Sequence, residues 1–454
     1  MSVLAALPSP PSWYPGHMRQ FMRMLPALLT RTDVVLELRD ARLPLTSINS
    51  SFETILQKWQ KERYAVAAGF ANSATNPGKA NEASLKGHSS TICERIVVMN
   101  KRDLVSEWGI EPFRKAMAAK FPDQRVIFAS WNRPRDVKTL LETIVNVARE
   151  NRHISNELNV LVVGMPNVGK STLLNALRNI GIPGPTPKAL RTSAHPGLTR
   201  ALSTRLKLSQ DPLVYSFDSP GVMLPFLGKG ELGAERGIKL ALIAGIREGL
   251  YSEESLASYL LYRLNLLNPS NPAYLAILPP DTPPTHDLAE FLAQLSRRLG
   301  MLKRGGEPDV ERAAVWFVKW WREQGCLLSS SAPMPLVQEE PQLERNMSCG
   351  DACESPERAE PSGLRGGWGF DFEWDVGQGP HLLDPSPCDA AESMGRIQQR
   401  MAHIIDAYVE RLQEEQNSDE GVSETQRKKK EKEEQRARRA KRVKALLEAR
   451  RSGR

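Results

Sequence analysis

The chain has 454 residues, of which 41% are hydrophobic and 25% are charged, so its composition is that of a globular protein with room for two or three domains. Its net charge of +8 comes from one segment, because residues 427–454 contain 14 Lys and Arg against 4 Asp and Glu. The remainder is close to neutral, which excludes a globally basic surface and leaves only a local patch for nucleic acid. No stretch of about eighteen uncharged apolar residues occurs in the sequence, so we predict no transmembrane segment.

The cysteines and the first residues bear on the cell compartment. Five scattered cysteines predict a reducing environment rather than a disulfide framework, and Cys349 and Cys353 lack the second Cys or His pair that would complete a zinc site. Residues 1–12 form an apolar, proline-rich leader, and the first acidic side chain of the sequence is Asp33. A start that contains arginine and lacks acidic residues is typical of a mitochondrial presequence.

Helices and strands alternate from residue 13 to residue 228. This alternation predicts an α/β fold with a doubly wound, mostly parallel sheet. Residues 67–90 interrupt it with Gly, Asn, Ser and Ala in no clear period, and we interpret them as an inserted surface loop. The predicted helices cover 18–29, 51–62, 112–120 and 137–150, and the predicted strands cover 33–38, 95–99, 125–128, 160–163, 202–208 and 213–217.

The segment from Gly164 to Ser171, Gly-Met-Pro-Asn-Val-Gly-Lys-Ser, lies between an apolar strand and a helix, as a phosphate-binding P-loop requires. Its glycines let consecutive backbone N–H groups face phosphate oxygens, and the positive end of the following helix faces the same anion. Lys170 would reach the β- and γ-phosphates, and the Ser171 hydroxyl would bind Mg²⁺. The nucleotide contacts predicted in this segment are Asn167, Val168, Gly169, Lys170, Ser171 and Thr172.

A second motif, Asn100-Lys101-x-Asp103, specifies the base. The Asp103 carboxylate matches the N1–H and 2-amino donors of guanine, which adenine lacks. Lys101 would lie over the base, and the pair Ala129-Ser130 would offer a backbone N–H to the guanine O6. On its own the motif more often caps a helix, but here it follows a predicted strand.

A third motif, from Asp218 to Gly221, completes the magnesium site. The aspartate would hold Mg²⁺, and the Gly221 N–H would meet the γ-phosphate. Thr199 is the predicted switch residue for both the metal and the γ-phosphate, whereas we interpret His195 in the same loop as a local hydrogen-bonding residue. Together the motifs predict a GTPase that binds Mg²⁺.

The motifs occur in a rotated order. In the usual GTPase the P-loop precedes Asn-Lys-x-Asp, whereas here Asn100 precedes Gly164 and Asp218 follows it. The sheet is therefore predicted to be circularly permuted, and movement of the Asp218 segment would reorient the helical region that comes next. Arg39, Asp40 and Arg42 follow the first strand, and we interpret them as pairing with one another, with contacts to the switch segments as the alternative.

The C-terminal half is predicted to have three parts. Residues 232–328 have helical periodicity and form a separate all-α domain. Residues 329–393 are rich in Pro, Ser, Gly and acids and are predicted to be a disordered linker, within which residues 368–374 are either a docking motif or a loosely packed tag. Residues 394–454 are predicted to be helical, and their basic end 427–454 either adds RNA affinity or is a solvated helix or a targeting signal.

These motifs in this order, with Trp-Tyr-Pro-Gly-His-Met at the start, resemble the circularly permuted YlqF/RbgA ribosome-assembly GTPases, and especially the mitochondrial ribosome-associated GTPases. The resemblance covers about Trp13 to Leu328 and includes residues 303–307 and 320–322. It implies a GTPase that binds the immature large ribosomal subunit and contacts its rRNA through the helical domain, in support of mitochondrial translation. It also implies a mitochondrial location, in the matrix or peripheral on the inner membrane, with a nucleolar or cytosolic assembly GTPase as the alternative.

The catalytic residue does not follow from the motifs, because Val222 occupies the position where other GTPases place a water-orienting glutamine. The resemblance offers His17, which is suited to orient or deprotonate water, although a purely structural role in the N-terminal segment is an equal alternative. It also implies that Asn167 binds a K⁺ ion, and it departs from this chain where Ala129-Ser130 reverses the commoner Ser-Ala. The predicted catalytic set is His17, Thr199 and Gly221.

Two other classes of function stay open from the sequence alone. In the first, an RNA-binding protein keeps the nucleotide as a static part of its fold, but such a protein would not need a complete magnesium set. In the second, the chain is a P-loop ATPase or kinase, and Asn100 and Asp103 are then coincidental.

Overall fold

The computed structural model describes residues 7–11, 13–74, 92–184, 202–269, 271–325, 365–375 and 389–417, and the single residues 187, 189, 190, 192, 199 and 439. The predictions for His195, for Cys349 and Cys353, and for most of the basic tail fall outside these residues. Within the described ranges, no helix is long and apolar enough to cross a membrane.

A six-stranded sheet forms the centre of the first half of the chain. Its strands are β1 (Val34–Asp40), β2 (Glu94–Asn100), β3 (Arg125–Ala129), β4 (Glu157–Gly164), β5 (Leu206–Ser209) and β6 (Leu213–Asp218). They are arranged in the order β3-β2-β1-β4-β6-β5, and all neighbours are parallel except β5 and β6. The predicted mostly parallel α/β sheet is therefore confirmed.

The sheet is covered on both faces by apolar side chains. Ile96 and Val98 of β2 enter the large hydrophobic core, whereas Val97 and Met99 enter a second apolar cluster. Successive residues of a strand point to opposite faces, so this alternation places buried side chains on each side of β2. The doubly wound architecture explains why the central strands are near-continuous apolar runs.

Five helices belong to this layer structure. They are α1 (Gly16–Leu29), α2 (Ser50–Ala74), α3 (Ile110–Lys120), α4 (Pro134–Glu150) and α5 (Lys170–Gly181). The prediction of an inserted loop over 67–90 is wrong for residues 67–74, because the alanine-rich end of α2 continues the helix without needing an apolar stripe. The rest of that insert, residues 75–91, lies outside the described part of the chain.

A helical domain follows the sheet, as the periodicity predicts, but its buried side chains belong to the same hydrophobic core as those of the sheet, so it is not packed separately. Its helices are α6 (Gly230–Leu242), α7 (Glu253–Leu267), α8 (Leu288–Arg298) and α9 (Val310–Trp320), and a π-helical turn, Trp321–Gly325, follows α9. The side chains of Ser252, Asp287 and Asp309 each accept a backbone N–H bond at the first turn of α7, α8 and α9. These caps satisfy donors that a helix cannot pair internally.

The prediction of a disordered linker over 329–393 is wrong at two places. A hairpin of β7 (Arg365–Trp368) and β8 (Phe372–Asp375) lies inside it, and a helix, α10 (Asp389–Asn417), begins before residue 394. Trp368 and Phe372 are each 0% exposed, so this segment packs on the rest of the chain and is not a loosely packed tag. The prediction rested on the average composition of the whole segment, which is rich in acids and proline. That average does not show the short run of aromatic residues that packs on the rest of the chain.

Candidate nucleotide site

The phosphate loop begins at the carboxyl end of β4, between the ends of β1 and β6. Gly164 has φ 148° and Gly169 has φ 93°, conformations that favour glycine. A Cβ atom at Gly164 would lie 2.4 Å from the Leu38 carbonyl oxygen, and one at Gly169 would lie 2.5 Å from Asn100 Nδ2. Both glycines of the motif are therefore needed for the close packing of this loop.

Lys170 is the first residue of α5, and its ammonium group turns back onto the loop. Its Nζ donates to the Met165 carbonyl oxygen at 2.7 Å and to the Gly164 carbonyl oxygen at 3.3 Å. Burial lowers the pKa of Lys170 to about 8, an effect that the charge of Asp218 opposes. The loop thus holds a weakly solvated cation next to the backbone that would cradle the phosphates.

Three oxygen-bearing side chains meet beside Lys170. The Ser171 hydroxyl donates to Asp218 Oδ2 at 2.5 Å, and it lies 3.5 Å from the Thr199 hydroxyl. Asp218 Oδ1 is buried and meets no hydrogen-bond donor among the described residues. Burial raises the pKa of Asp218, although Lys170 and Ser171 lower it.

These residues fit a magnesium ion. Mg²⁺ prefers hard oxygen ligands from one or two carboxylates, and Asp218 Oδ1 is a buried acceptor that no donor of the described chain satisfies. Ser171, Thr199 and Asp218 would hold the ion, which would neutralise negative charge on the phosphates. The sequence had predicted this set, and the structure brings its three members together.

The segment after Asp218 packs tightly on the phosphate loop. A Cβ atom at Gly221 would lie 2.6 Å from both the N and Cα atoms of Pro166. The Val222 N–H donates to the Gly164 carbonyl oxygen at 3.1 Å, and the Val222 side chain is 0% exposed. A buried valine cannot orient water, so the glutamine position of other GTPases is filled here by a core residue.

The guanine motif is fastened to the phosphate loop by its asparagine. Asn100 is 0% exposed, and its Nδ2 donates to the Val168 carbonyl oxygen at 2.6 Å. Asp103 lies in a 3-10 turn two residues beyond Lys101 and is partly exposed. The Asn132 Nδ2 atom donates to Asp103 Oδ2 at 3.2 Å, which places the end of β3 beside the carboxylate.

The pair Ala129 and Ser130 closes this side of the site. Both residues are 0% exposed, and the Ser130 hydroxyl accepts a bond from the Asn132 backbone N–H at 3.2 Å. Register places Ala129 directly beside Asn100 on the neighbouring strand. The predicted base contacts from β2 and β3 therefore lie on one edge of the sheet.

Asp40 contacts the guanine motif through Lys101, a contact that sequence reasoning did not predict. Its Oδ2 accepts from Lys101 Nζ at 2.9 Å and from Arg42 Nη2 at 2.8 Å. Burial by itself raises the pKa of Asp40, but Arg42 and Lys101 together hold that pKa well below its ordinary value. In the parallel pairing of β1 and β2, Asp40 lies beside Asn100, which precedes Lys101. The contact between Asp40 and Lys101 therefore follows from the pairing of these two strands.

The predicted pairing among Arg39, Asp40 and Arg42 is confirmed for Asp40 and Arg42. Arg39 instead pairs with Glu37, with 2.7 Å between Nε and Oε1, and with Glu53 of α2 at 3.0 Å. Side chains two apart on a strand share a face, so Arg39 lies on the face that α2 covers.

His17 lies in α1 and Asn167 lies in the phosphate loop, and both segments contact parts of the chain that are distant in sequence. His17 is in the first turn of α1, and the next residue, Met18, accepts a bond through its sulfur from the Met223 N–H at 3.5 Å. The start of α1 therefore packs against the chain just after Gly221. Asn167 has φ 57°, and its Nδ2 donates to the Ala244 carbonyl oxygen at 2.8 Å, so the phosphate loop contacts the helical domain directly.

Comparisons with known proteins find similar GTPases. Residues 159–258 match a family model described as a 50S ribosome-binding GTPase. The chain is 29% identical to mitochondrial GTPase 1 of Schizosaccharomyces japonicus, over 74% of this chain and 95% of that protein. It is 31% identical to mitochondrial ribosome-associated GTPase 1 of Xenopus tropicalis, over 56% of this chain and 70% of that protein. A crystal structure of GNP-bound YlqF from T. maritima covers 68% of this chain and 94% of that one, with 21% identity and a TM-score of 0.39.

The two relatives that carry the GTPase 1 name match most of their own length, and the matched family model includes the phosphate loop and Asp218. The chain belongs to the mitochondrial GTPase 1 family, and it is a GTPase.

Proposed function

We propose that this GTPase acts in the assembly or maturation of the large ribosomal subunit of mitochondria. One relative is named ribosome-associated, and the matched family model is described as ribosome-binding. The observation that carries hydrolysis in this proposal is the Ser171, Thr199 and Asp218 cluster beside the buried Lys170, because a protein that only holds a nucleotide does not need a complete magnesium set.

In this proposal each end of the nucleotide has its own residues. Lys170 and the backbone of Val168, Gly169 and Thr172 bind the phosphates, and Ser171, Thr199 and Asp218 hold Mg²⁺. Asp103 accepts hydrogen bonds from the guanine N1–H and 2-amino group, while Lys101, Ala129 and Ser130 line the base. The Gly221 N–H donates to the γ-phosphate. The segment that leads from Gly221 into α6 would therefore respond to the presence or loss of this phosphate.

We assign the water-orienting role to His17. The packing of Met18 on Met223 places the start of α1 next to the γ-phosphate segment, which supports the assignment. His17→Ala should slow GTP hydrolysis roughly a hundredfold or more while sparing GTP binding. Unchanged turnover on ribosomal subunits would remove His17 from the mechanism. Replacing K⁺ by Na⁺ in the same assay tests whether Asn167 serves a monovalent cation.

The turn between α8 and α9 is the proposed rRNA contact. Gly305 and Gly306 have φ 99° and 83°, and the Lys303 N–H donates to the Glu307 carbonyl oxygen at 2.8 Å, which makes a tight projecting turn. Lys303 and Arg304 are exposed at its tip. Two exposed cations on a rigid turn are suited to phosphate contacts, whose strength falls as salt increases.

The test is GTP turnover with and without purified large ribosomal subunits. The proposal predicts slow turnover by the protein alone and stimulation by the subunits. Replacing Lys303 and Arg304 by Glu should weaken binding to the subunits and reduce the slope of log affinity against log salt by roughly 1.5, as the loss of two phosphate contacts requires. The same charge change at Lys58 and Lys61 of α2, which are also exposed, is the control and should leave the slope unchanged. No stimulation and no binding would contradict the proposal.

The proposed location is the mitochondrial matrix, with peripheral contact to the inner membrane as its further part. The names of the relatives support the organelle. Imaging the tagged full-length chain tests it, followed by carbonate extraction of isolated mitochondria. A nucleolar signal would contradict it.

A further inference from the structure

The C-terminal hairpin, residues 365–375, packs on the segment that follows the guanine motif. Trp368 is 0% exposed, and its Nε1 donates to the Ser106 carbonyl oxygen at 3.0 Å, three residues after Asp103. Its ring lies 5.4 Å from that of Phe113, between ring centroids. Gly109 makes room for the indole, because a Cβ atom there would lie 2.2 Å from two of its ring atoms.

The same hairpin holds the loop after β1. Asp371 Oδ2 accepts from the backbone N–H groups of Leu45 and Thr46 at 2.9 and 2.7 Å, and its Oδ1 accepts from the Thr46 hydroxyl at 2.6 Å. The Phe370 N–H donates to the Arg42 carbonyl oxygen at 2.9 Å. Because Arg42 pairs with Asp40, the hairpin braces the residue that in turn holds Lys101.

The hairpin is also fixed from the side of the helical domain. Arg263 of α7 pairs with Glu373 at 2.6 Å and donates to the Phe370 carbonyl oxygen at 3.1 Å. The ring centroids of Trp321 and Phe370 are 4.6 Å apart. Backbone that is braced from two sides has little freedom to move, so the hairpin is a firm support for the loops on which it rests.

We propose that the C-terminal hairpin positions Asp103 and Lys101 for guanine recognition, and that Trp368 is its principal positioning residue. This inference rests on the proposal that Asp103 binds the base. Trp368 does not itself reach the nucleotide; it fixes the short turns between Asp103 and α3. By thermodynamic linkage, a guanine nucleotide then favours the docked hairpin as much as the hairpin favours the nucleotide.

The alternative is that the hairpin only stabilises the fold. A measurement of how well the protein discriminates between purine bases distinguishes this alternative from a role in positioning Asp103. IDP differs from GDP by the absence of the 2-amino group, so the GDP-to-IDP affinity ratio reports how well Asp103 is placed. We expect Trp368→Ala to lower GDP affinity about tenfold and IDP affinity much less, which is the loss of roughly one well-made hydrogen bond to a charged group. A fall in both affinities with an unchanged ratio would overturn the inference.

Gly109→Ala is a second route to the same test. Gly109 has φ −87°, so alanine is compatible with its backbone, but the added Cβ displaces the indole. The ratio should fall as in Trp368→Ala, and the double variant should be no worse than either single one, because all three remove the same contact. Trp316→Ala, which deletes a half-buried tryptophan of α9, is the control and should leave the ratio unchanged even where it lowers the melting temperature. Two additive losses would contradict the inference.

The wild-type measurement shows which proposal has failed. If the wild-type chain binds GDP and IDP equally well, Asp103 does not read the base, and both proposals are overturned. If the wild-type chain prefers GDP and the two variants keep that preference, only the role of the hairpin is overturned. Hydrogen exchange supplies the reciprocal readout, since GDP should slow exchange in residues 365–375 of the wild-type chain but not in Trp368→Ala.

Discussion

The two ends of the nucleotide site are built differently. At the phosphate end, Lys170 bonds to carbonyl oxygens of its own loop, and Ser171 bonds to Asp218 on the adjacent strand. At the guanine end, Asp103 is partly exposed, and the residues that hold its surroundings come from distant segments, among them Asp40 and Trp368. The first end is organised mainly by a contiguous motif, and the second depends on the whole fold.

Both ends are connected to the helical domain, but by different routes. The phosphate loop contacts that domain directly, because Asn167 Nδ2 donates to the Ala244 carbonyl oxygen at 2.8 Å. The guanine end is connected to it through Arg42, which donates to the Arg322 carbonyl oxygen at 3.2 Å and pairs with Asp40. Changes in the helical domain should therefore affect both ends of the site.

The largest expected effect is at Asp103. In Asp103→Asn the amide presents an N–H to the 2-amino group of guanine, so GDP affinity should fall about a thousandfold, as for other sites whose buried polar partner is mismatched. Xanthosine diphosphate, whose 2-oxo group accepts from that amide, should bind better to the variant than to the wild type. Competition titration against a fluorescent GDP measures both. Asp123→Asn at an exposed position is the control. An unchanged preference would show that Asp103 does not contact the base.

The phosphate end should respond to pH. Because the pKa of Lys170 is lowered to about 8, its ammonium group is charged below that pH and loses its proton above it. GDP affinity should be nearly constant from pH 7 to about 7.5 and then fall toward tenfold per unit as the pH passes 8. Lys170→Arg keeps its charge throughout and should flatten the profile. A wild-type profile that stays flat to pH 9 would contradict the burial of this charge in the free protein.

The smallest expected effect is at Asp40, which supports the guanine end through Lys101. Asp40→Asn keeps the size of the side chain but removes the charge that pairs with Lys101 and Arg42. GDP affinity should fall about threefold, since the change acts through a positioning contact of roughly 0.5–1 kcal/mol. Equilibrium binding of GDP measures it, and Glu111→Gln, which removes an exposed ion pair, should have no effect. A hundredfold loss would mean that Asp40 itself touches the nucleotide.

The sequence predicted the strand, loop and helix of the phosphate end, but only part of the contacts around the guanine motif. Gly164 to Ser171 form one uninterrupted motif, so its spacing alone implied the loop. The contact from Asn100 to Val168 and the one from Lys101 to Asp40 join residues 68 and 61 positions apart, and only the strand order determines them. Trp368 is 262 positions from Ser106, and it lies in a segment whose average composition is typical of disordered chains. The composition of a segment carries no information about a distant surface on which that segment packs.

The most direct measurement is a crystal structure of the full chain with a non-hydrolysable GTP analogue and Mn²⁺, located by its anomalous scattering. We predict the base on Asp103, the β- and γ-phosphates on Lys170, and the metal beside Ser171 and Asp218. A nucleotide bound away from either Asp103 or Lys170 would contradict a single site that joins the two motifs.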